Sequence, residues 1–256
     1  MKGGKKSGKK IAIVVVALIV VLSCGVTGVL SVSGAFGDIH VLSEAEDGQI
    51  RVACVGDSIT YGAMVFDHAH KSYPAQLGAL LGTGYVVNNY GYSGRAAHPD
   101  TDMPYTAEKL YRQSLSFAPD IVVIMLGTND TRKGNWHGQD AFVQAYGAIL
   151  DSYIQLPSSP EVIIMAPPPA FSFVGKVRYN IDATLVKNEV NAGVRLLAEE
   201  KGLTFIDLYE VFDGKSNLFV DGVHPSAKGA TLLAETVYKT IAKTELTNSE
   251  TMYSVA

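Results

Sequence analysis

The sequence predicts an α/β fold, a parallel sheet covered by helices, and three observations support this. Short runs rich in β-branched residues alternate with longer amphipathic segments through most of the chain. The run at 121–126 (Ile-Val-Val-Ile-Met-Leu) is continuously apolar, as expected of a central strand buried on both faces. The 256 residues, 47% of them hydrophobic, are enough to bury the core of one such domain.

Five segments have the length and composition of strands, and helical segments lie between them. The predicted strands are 50–55, 85–89, 120–126, 161–166 and 203–208, and the predicted helices between them are 72–81, 106–117, 139–154 and 182–201. In the last of these helices, Val186, Val190, Val194 and Leu197 recur on one face, and Asp182 stands where an N-cap is needed.

A final helix is predicted to begin at Pro225, because proline is favoured in a first helical turn. Its core-facing stripe is Ala230, Leu233, Ala234, Val237 and Ile241. We therefore divide the chain into an N-terminal signal or membrane anchor (1–30), a linker (31–49), a catalytic domain (50–243) and a loose polar tail (244–256).

The N-terminus has the pattern of a membrane-targeting segment. Five lysines lie within the first ten residues, ahead of the apolar run at 11–22. A positive flank of this kind stays in the cytoplasm and sends the following chain across the membrane. Three fates remain open: an uncleaved anchor extending to Leu30, lipidation at Cys24 after cleavage, or cleavage near Ser33-Gly34-Ala35. Each places the body of the protein outside the cytoplasm.

Polar motifs follow three predicted strands and precede the last helix. Ser58 lies in Gly-Asp-Ser-Ile-Thr, Gly94 ends Asn-Tyr-Gly-Tyr-Ser-Gly, Asn129 lies in Gly-Thr-Asn-Asp, and Asp221 and His224 belong to Asp-Gly-Val-His-Pro. The carboxyl ends of parallel strands meet at one edge of a sheet, which is where ligands bind. The topology would therefore bring the four motifs together.

These residue types together indicate nucleophilic acyl chemistry. A serine hydroxyl becomes a nucleophile when a base removes its proton, so Ser58 is the candidate nucleophile and His224 its candidate base. Asp221 would orient the imidazole. The oxyanion formed on attack needs preset donors, for which the backbone N–H groups of Ser58 and Gly94 and the side-chain amide of Asn129 are the candidates.

On these motifs the chain resembles the SGNH/GDSL hydrolase superfamily over residues 50–243. The serine, glycine, asparagine and histidine that mark that family match Ser58, Gly94, Asn129 and His224, with Asp221 in the last block. The resemblance implies a three-layer α/β/α sandwich with a flavodoxin-like five-stranded parallel sheet, and esterase chemistry that uses neither a metal nor another cofactor.

A further resemblance suggests the substrate. Met-Leu-Gly-Thr-Asn-Asp at 125–130 and the Pro-Pro-Pro-Ala segment at 167–170 are similar to carbohydrate and sialate O-acetylesterases, which implies short-chain esters on glycans. Arg95, His98, Trp136 and Arg178 are the candidate sugar contacts, each weighed against a plain role in packing or as a surface charge. The connection at 167–180 is either a wall of this site or an ordinary surface loop.

Other functions remain open or are disfavoured. An O-acyltransferase and a lysophospholipase would use the same site, and a non-catalytic glycan-binding module would not need an intact Ser58, Asp221 and His224.

Thr60 stands where an α/β-hydrolase elbow needs glycine, and His68 and His70 lack the companions of a zinc site. A net charge of −4, even with the N-terminal lysines, is not that of a nucleic-acid-binding protein. The sequence leaves the oligomeric state open.

Overall fold

The computed structural model describes residues 28–32 and 38–254. Its main element is a five-stranded parallel sheet formed by β3 (Ile50–Gly56), β4 (Tyr85–Gly91), β5 (Ile121–Met125), β6 (Glu161–Ala166) and β7 (Thr204–Asp207). The strands lie in the order β4-β3-β5-β6-β7. Successive strands are therefore added first on one side of β3 and then on the other. This is the flavodoxin-like topology, and the predicted fold class is confirmed.

Helices cover both faces of the sheet and enclose two apolar layers. The main ones are Tyr73–Leu81, Lys109–Ser116, Gln139–Ile154, Asn191–Lys201 and Ala227–Ser254. Side chains alternate along β5, so that Val122 and Ile124 face one layer whereas Val123 and Met125 face the other, all of them fully buried. The continuously apolar run at this position therefore follows from burial on both faces.

The segment after β6 confirms the helical periodicity predicted for 182–201. Asp182 accepts hydrogen bonds from the backbone N–H groups of Thr184 and Leu185, and so caps the helix. The helix runs through Ala183–Leu185, a π-helical turn at Val186–Val190 and Asn191–Lys201. The four residues predicted to face the core, Val186, Val190, Val194 and Leu197, are buried.

Two predicted boundaries were wrong at the C-terminus. The final helix begins at Ala227 rather than Pro225, because Pro225 forms an isolated bridge with Phe219 and stays extended. The same helix runs on to Ser254, through most of the predicted loose tail. Residues 242–254 contain neither glycine nor proline, so nothing in the sequence stops the helix once its buried stripe at 230–241 is anchored.

The predicted linker contains an ordered strand. Gly28–Val32 (β1) pairs with Ile39–Ser43 (β2) in an antiparallel ribbon. The side-chain amide of Asn88 on β4 holds β2 by accepting from the backbone N–H of Ser43 and donating to its carbonyl oxygen, both at 2.9 Å. Most of the predicted anchor, including Cys24, and the candidate cleavage position at 33–35 lie outside the described residues. Among the residues that are described, no helix is long and apolar enough to cross a bilayer.

Candidate active site

Ser58 lies at the carboxyl end of β3, in the first turn of the short helix Ser58–Tyr61. Asp57 caps this helix, with Oδ1 accepting from the backbone N–H of Ile59 at 2.9 Å. A Cβ atom added at Gly56 would lie 2.3 Å from Oγ1 of Thr60 and 2.6 Å from the carbonyl oxygen of Met125. Glycine is therefore required for the chain to turn this sharply beneath the serine.

The loop before the last helix brings Asp221 and His224 to Ser58 across 166 residues of sequence. Nε2 of His224 lies 2.9 Å from Oγ of Ser58, and Nδ1 of His224 lies 2.8 Å from Oδ2 of Asp221. Oδ1 of Asp221 accepts from the backbone N–H groups of Val223 and His224 at 3.0 and 2.8 Å. All three predicted side chains are at least nine-tenths buried and form one continuous chain of hydrogen bonds.

The environment of Asp221 keeps this carboxyl group ionised. Burial alone would raise its pKa, but hydrogen bonds from the His224 side chain, the His224 N–H, Tyr179 and the Val223 N–H outweigh burial and lower the pKa to about 2. An ionised carboxylate only accepts hydrogen bonds, so Nδ1 of His224 carries a proton towards it. The lone pair of Nε2 is thereby left facing the hydroxyl of Ser58.

Asn129 and Gly94 lie next to this chain of hydrogen bonds. Asn129 begins the 3₁₀ turn after β5, and its Nδ2 donates to Oδ2 of Asp57 and to the carbonyl oxygen of Arg95, both at 3.0 Å. Gly94 has a φ of 81° in the turn after β4, a conformation that favours glycine. The structure therefore brings the four predicted motifs to one edge of the sheet.

Two buried carboxyl groups, those of Asp57 and Asp130, support these turns. Asp130 accepts from the backbone N–H groups of Ala97 and His98 at 2.9 and 2.8 Å, which ties the β5 turn to the loop after β4. Burial raises the pKa of Asp57 to about 7 and that of Asp130 to about 6. The negative charge of Asp130 also raises the pKa of Asp57.

Sequence reasoning missed a second polar network behind the candidate oxyanion hole. Nη2 of Arg132 donates to the carbonyl oxygen of Gly94 and to Oδ1 of Asp102, both at 2.8 Å. Nδ2 of Asn135 donates to the same Asp102 oxygen at 2.8 Å and to the carbonyl oxygen of Asn129 at 3.1 Å. The backbones of Gly94 and Asn129 are thus held by one cluster of Arg132, Asn135 and Asp102. No local sequence motif predicts this cluster.

The connection after β6 forms a wall of the site rather than a detached surface loop. The backbone N–H of Phe171 donates to the carbonyl oxygen of Gly222 at 2.8 Å. The hydroxyl of Tyr179, a residue that sequence reasoning also missed, lies 2.7 Å from Oδ2 of Asp221.

The predicted sugar contacts are placed differently from one another. The guanidinium of Arg95 lies over the ring of Tyr92 and is paired with Glu108 at 2.7 Å. The ring of His98 stacks on His137 with their centroids 4.4 Å apart. Trp136 packs on Phe142, and the exposed Arg178 lies over the ring of Phe173.

Trp136 also lines an open cavity of about 600 Å³ between the segment at 131–136 and the segment at 177–185. Arg132, Lys133, Asn180 and Asp182 supply its polar lining. A larger cavity of about 680 Å³ lies at the amino end of β3, lined by Arg51 and Asp120, and does not include Ser58. In the part of the chain that the structure describes, no group of three or more His, Cys, Asp or Glu side chains is placed to hold a metal ion.

Comparison with known proteins gives consistent results. The family model for GDSL-like lipases/acylhydrolases matches residues 54–232. An acetylxylan esterase from Xylanibacter ruminicola is 34% identical over 206 residues, which cover 73% of this chain and 42% of that protein. The chain therefore spans less than half the length of this curated relative.

Solved structures share the fold. A carbohydrate acetylesterase from Sinorhizobium meliloti matches with a TM-score of 0.61 at 20% identity, over 76% of this chain and 99% of that one. An aryl esterase from M. smegmatis matches with a TM-score of 0.64 at 20% identity and the same coverage. At these identities the likeness concerns the fold alone.

Proposed function

The chain belongs to the GDSL-like lipase/acylhydrolase family, and on that basis we propose that it is a serine esterase that removes short acyl groups, chiefly O-acetyl, from carbohydrate. The observation that carries the proposal is the contact of 2.9 Å between Oγ of Ser58 and Nε2 of His224, whose Nδ1 lies 2.8 Å from the ionised Asp221.

The reaction follows from the direction of these hydrogen bonds. Nε2 of His224 accepts the hydroxyl proton as Oγ of Ser58 attacks the ester carbonyl, and Asp221 stabilises the resulting imidazolium. The tetrahedral intermediate collapses when the bond to the alcohol oxygen breaks and His224 returns the proton to that oxygen. Water, deprotonated by His224, then attacks the acyl-serine. The bond between the acyl carbon and Oγ of Ser58 breaks, His224 returns the proton to Oγ, and the carboxylic acid leaves.

The oxyanion would bind to the backbone N–H groups of Ser58 and Gly94 and to Nδ2 of Asn129. Nδ2 already donates to Asp57 and to the carbonyl oxygen of Arg95. Contact with the oxyanion therefore requires Asn129 to share or exchange the hydrogen bond to Arg95, while the one to Asp57 keeps the amide aimed.

Two observations support an acetylated glycan as the substrate: the similarity to an acetylxylan esterase and the cavity beside Trp136. A half-buried indole with polar side chains around it is a suitable surface for a sugar ring. Neither Ser58 nor His224 lines this cavity. The segment at 131–136, which does line it, begins two residues after Asn129, so we expect sugar residues attached beyond the scissile ester to reach it.

A second candidate is hydrolysis of longer acyl esters, as in a lysophospholipase. It is favoured by two exposed apolar side chains on loops near the site, Phe66 (90% exposed) after the Ser58 helix and Val174 (87% exposed) on the connection after β6. Such side chains would contact an acyl chain or a lipid surface.

We also propose that the domain acts outside the cytoplasm, on the strength of the lysine-flanked apolar run at 11–22. Protease accessibility of the domain in intact and in lysed cells tests this. Digestion confined to lysed cells would contradict it.

The deciding experiment measures kcat/KM of the full-length chain on p-nitrophenyl acetate, butyrate and octanoate. Ser58→Ala and His224→Ala should each lower turnover on the order of 10⁴-fold or more. Near-normal turnover of either variant would contradict the mechanism. Preference for acetate would support the acetylesterase, preference for octanoate would support the second candidate, and an acylated sugar formed only with an added acceptor would identify an acyltransferase.

The sugar contact is tested separately with acetylated xylo-oligosaccharides. Trp136→Ala should raise KM for these substrates and leave kcat/KM for p-nitrophenyl acetate within a factor of about 2. An equal effect on both substrates would mean that Trp136 acts by packing on Phe142.

A further inference from the structure

Tyr179 makes direct contact with both Asp221 and His224, although it lies outside the motifs that define the site. Its hydroxyl oxygen is 2.7 Å from Oδ2 of Asp221, and its ring meets the ring of His224 edge to face with centroids 5.1 Å apart. Tyr179 itself is 47% exposed, whereas Asp221 is 2% exposed. The phenol thus reaches from the surface to a buried carboxylate.

The direction of this hydrogen bond follows from the ionisation of the two groups. The pKa of Asp221 is held at about 2, so the carboxylate has no proton to donate. Burial and the hydrogen bond to Asp221 raise the pKa of Tyr179, which keeps the phenol protonated. Tyr179 therefore donates, and two donors, the phenol and Nδ1–H of His224, converge on Oδ2 of Asp221.

The backbone at Tyr179 is held in a conformation that side chains disfavour. Tyr179 has φ 60° and ψ 22°, and Asn180 follows with φ 56°. Two consecutive left-handed residues that are not glycine persist only where contacts fix them. The carbonyl oxygen of Asn180 accepts from the backbone N–H of Lys133 at 3.3 Å, so the segment is tied to the turn that follows Asn129.

We propose that Tyr179 is a positioning residue of the active site, whose hydroxyl orients Asp221 and takes part of its negative charge while its ring covers the Asp221–His224 contact. This inference rests on the proposed esterase function. Ser58 and Tyr179 contact the Asp221–His224 pair, and the guanidinium of Arg178 acts on Tyr179.

The charge balance fixes the sign of the effect. A phenol that donates to Oδ2 stabilises the carboxylate and weakens its attraction for the imidazolium. Tyr179→Phe keeps the ring and removes only the donor, so the imidazolium should hold its proton to a higher pH. The acid limb of the kcat/KM profile should move in the same direction, by about 0.5 in pH.

The first readout does not require turnover. The NMR titration of His224, assigned by the resonance missing from His224→Ala, should have a higher midpoint in Tyr179→Phe than in the wild type. Tyr111→Phe is the matched control, because it also removes a hydroxyl hydrogen bond, the one to Ser152 between two helices. The control should titrate as the wild type does.

The second readout is kinetic. Tyr179→Phe should lower kcat about fivefold to tenfold and leave KM within a factor of about 2, because the hydroxyl acts on Asp221 rather than on substrate. An unchanged His224 midpoint would overturn the proposal. A loss carried by KM would also overturn it and make Tyr179 a substrate contact. If the wild type shows no Ser58-dependent turnover, the proposed function fails, and the NMR titration still decides the role of Tyr179.

Discussion

Asn129 donates a hydrogen bond of 3.0 Å from Nδ2 to Oδ2 of Asp57, the residue immediately before Ser58. Both side chains are buried, and the second N–H of the same amide donates to the carbonyl oxygen of Arg95 at 3.0 Å. The hydrogen bond to Asp57 therefore keeps the amide aimed, and the N–H that bonds to Arg95 is the one that the oxyanion would share or take over. A donor that is already held in place is effective when charge develops on substrate.

Asn129→Ala should lower kcat/KM on the order of 10²–10³-fold, because one donor to the oxyanion is lost. The loss should appear in kcat, since the oxyanion exists only in the transition state and the intermediate. Asn191→Ala is the control, because that buried amide donates to Asp207 instead. Equal losses in the two variants would show that Asn129 acts through stability alone.

The carboxyl group of Asp57 makes the stability of the fold depend on pH. Burial raises its pKa to about 7 in the folded chain, above the ordinary value of 3.8. The unfolded chain thus releases this proton near pH 4 and the folded chain near pH 7, so the free energy of unfolding falls as the pH rises between them. Asp221, with a lowered pKa, changes stability only below about pH 4.

Asp57→Asn should reduce this decline, because the ionisable group is absent. Urea unfolding at pH 5 and pH 8 should show a decrease in unfolding free energy that is smaller than in the wild type by about 2 kcal/mol. Asp120→Asn is the control, because the hydrogen bond from Arg51 lowers the pKa of Asp120 and confines its effect to acid pH. Part of the decline should remain in Asp57→Asn, because the pKa of Asp130 is also raised, to about 6. A decline as large as that of the wild type would mean that Asp57 is ionised throughout this range.

Arg132 offers a test of the network behind the candidate oxyanion hole. Arg132→Gln removes the donor to the carbonyl oxygen of Gly94 and should lower kcat about tenfold, because the turn that carries the Gly94 N–H is no longer fixed. Arg51→Gln is the control, since Arg51 pairs with Asp120 at the opposite end of β3 from Ser58. An equal change of kcat in both variants would argue against a local role.

The parts of the site that sequence reasoning located are those fixed by topology. Ser58, Gly94 and Asn129 each follow a predicted strand of the parallel sheet, and the carboxyl ends of parallel strands meet at one edge. Asp221 and His224 lie three residues apart, so one tight turn suffices to bring them into contact.

The parts that it missed depend on tertiary contacts. Tyr179 reaches Asp221 only because a strained left-handed turn aims it there, and no periodicity marks such a turn. Arg132 and Asn135 bind backbone carbonyl groups of distant loops, and surface arginines and asparagines are common in any sequence. The strand at Ile39–Ser43 was missed for a similar reason, since it depends on the side chain of Asn88.

Gly91, the last residue of β4, permits a close approach of two backbones beneath Ser58. A Cβ atom added at Gly91 would lie 2.2 Å from the backbone nitrogen of Tyr61 and 2.6 Å from the carbonyl carbon of Thr60. Both atoms belong to the short helix that carries Ser58, and backbone cannot move aside as a flexible side chain can. Gly91→Ala should therefore push that helix away from β4.

We expect Gly91→Ala to lower the free energy of unfolding by about 2–4 kcal/mol, measured by urea denaturation. Its kcat on p-nitrophenyl acetate should also fall, because Oγ of Ser58 moves relative to Nε2 of His224. Gly84→Ala is a matched control, since an added Cβ there has no atom within 4 Å. The control should be neutral or slightly stabilising, because alanine restricts the unfolded chain. Equal stability of the two variants would mean that the Ser58 helix and β4 can separate at little cost.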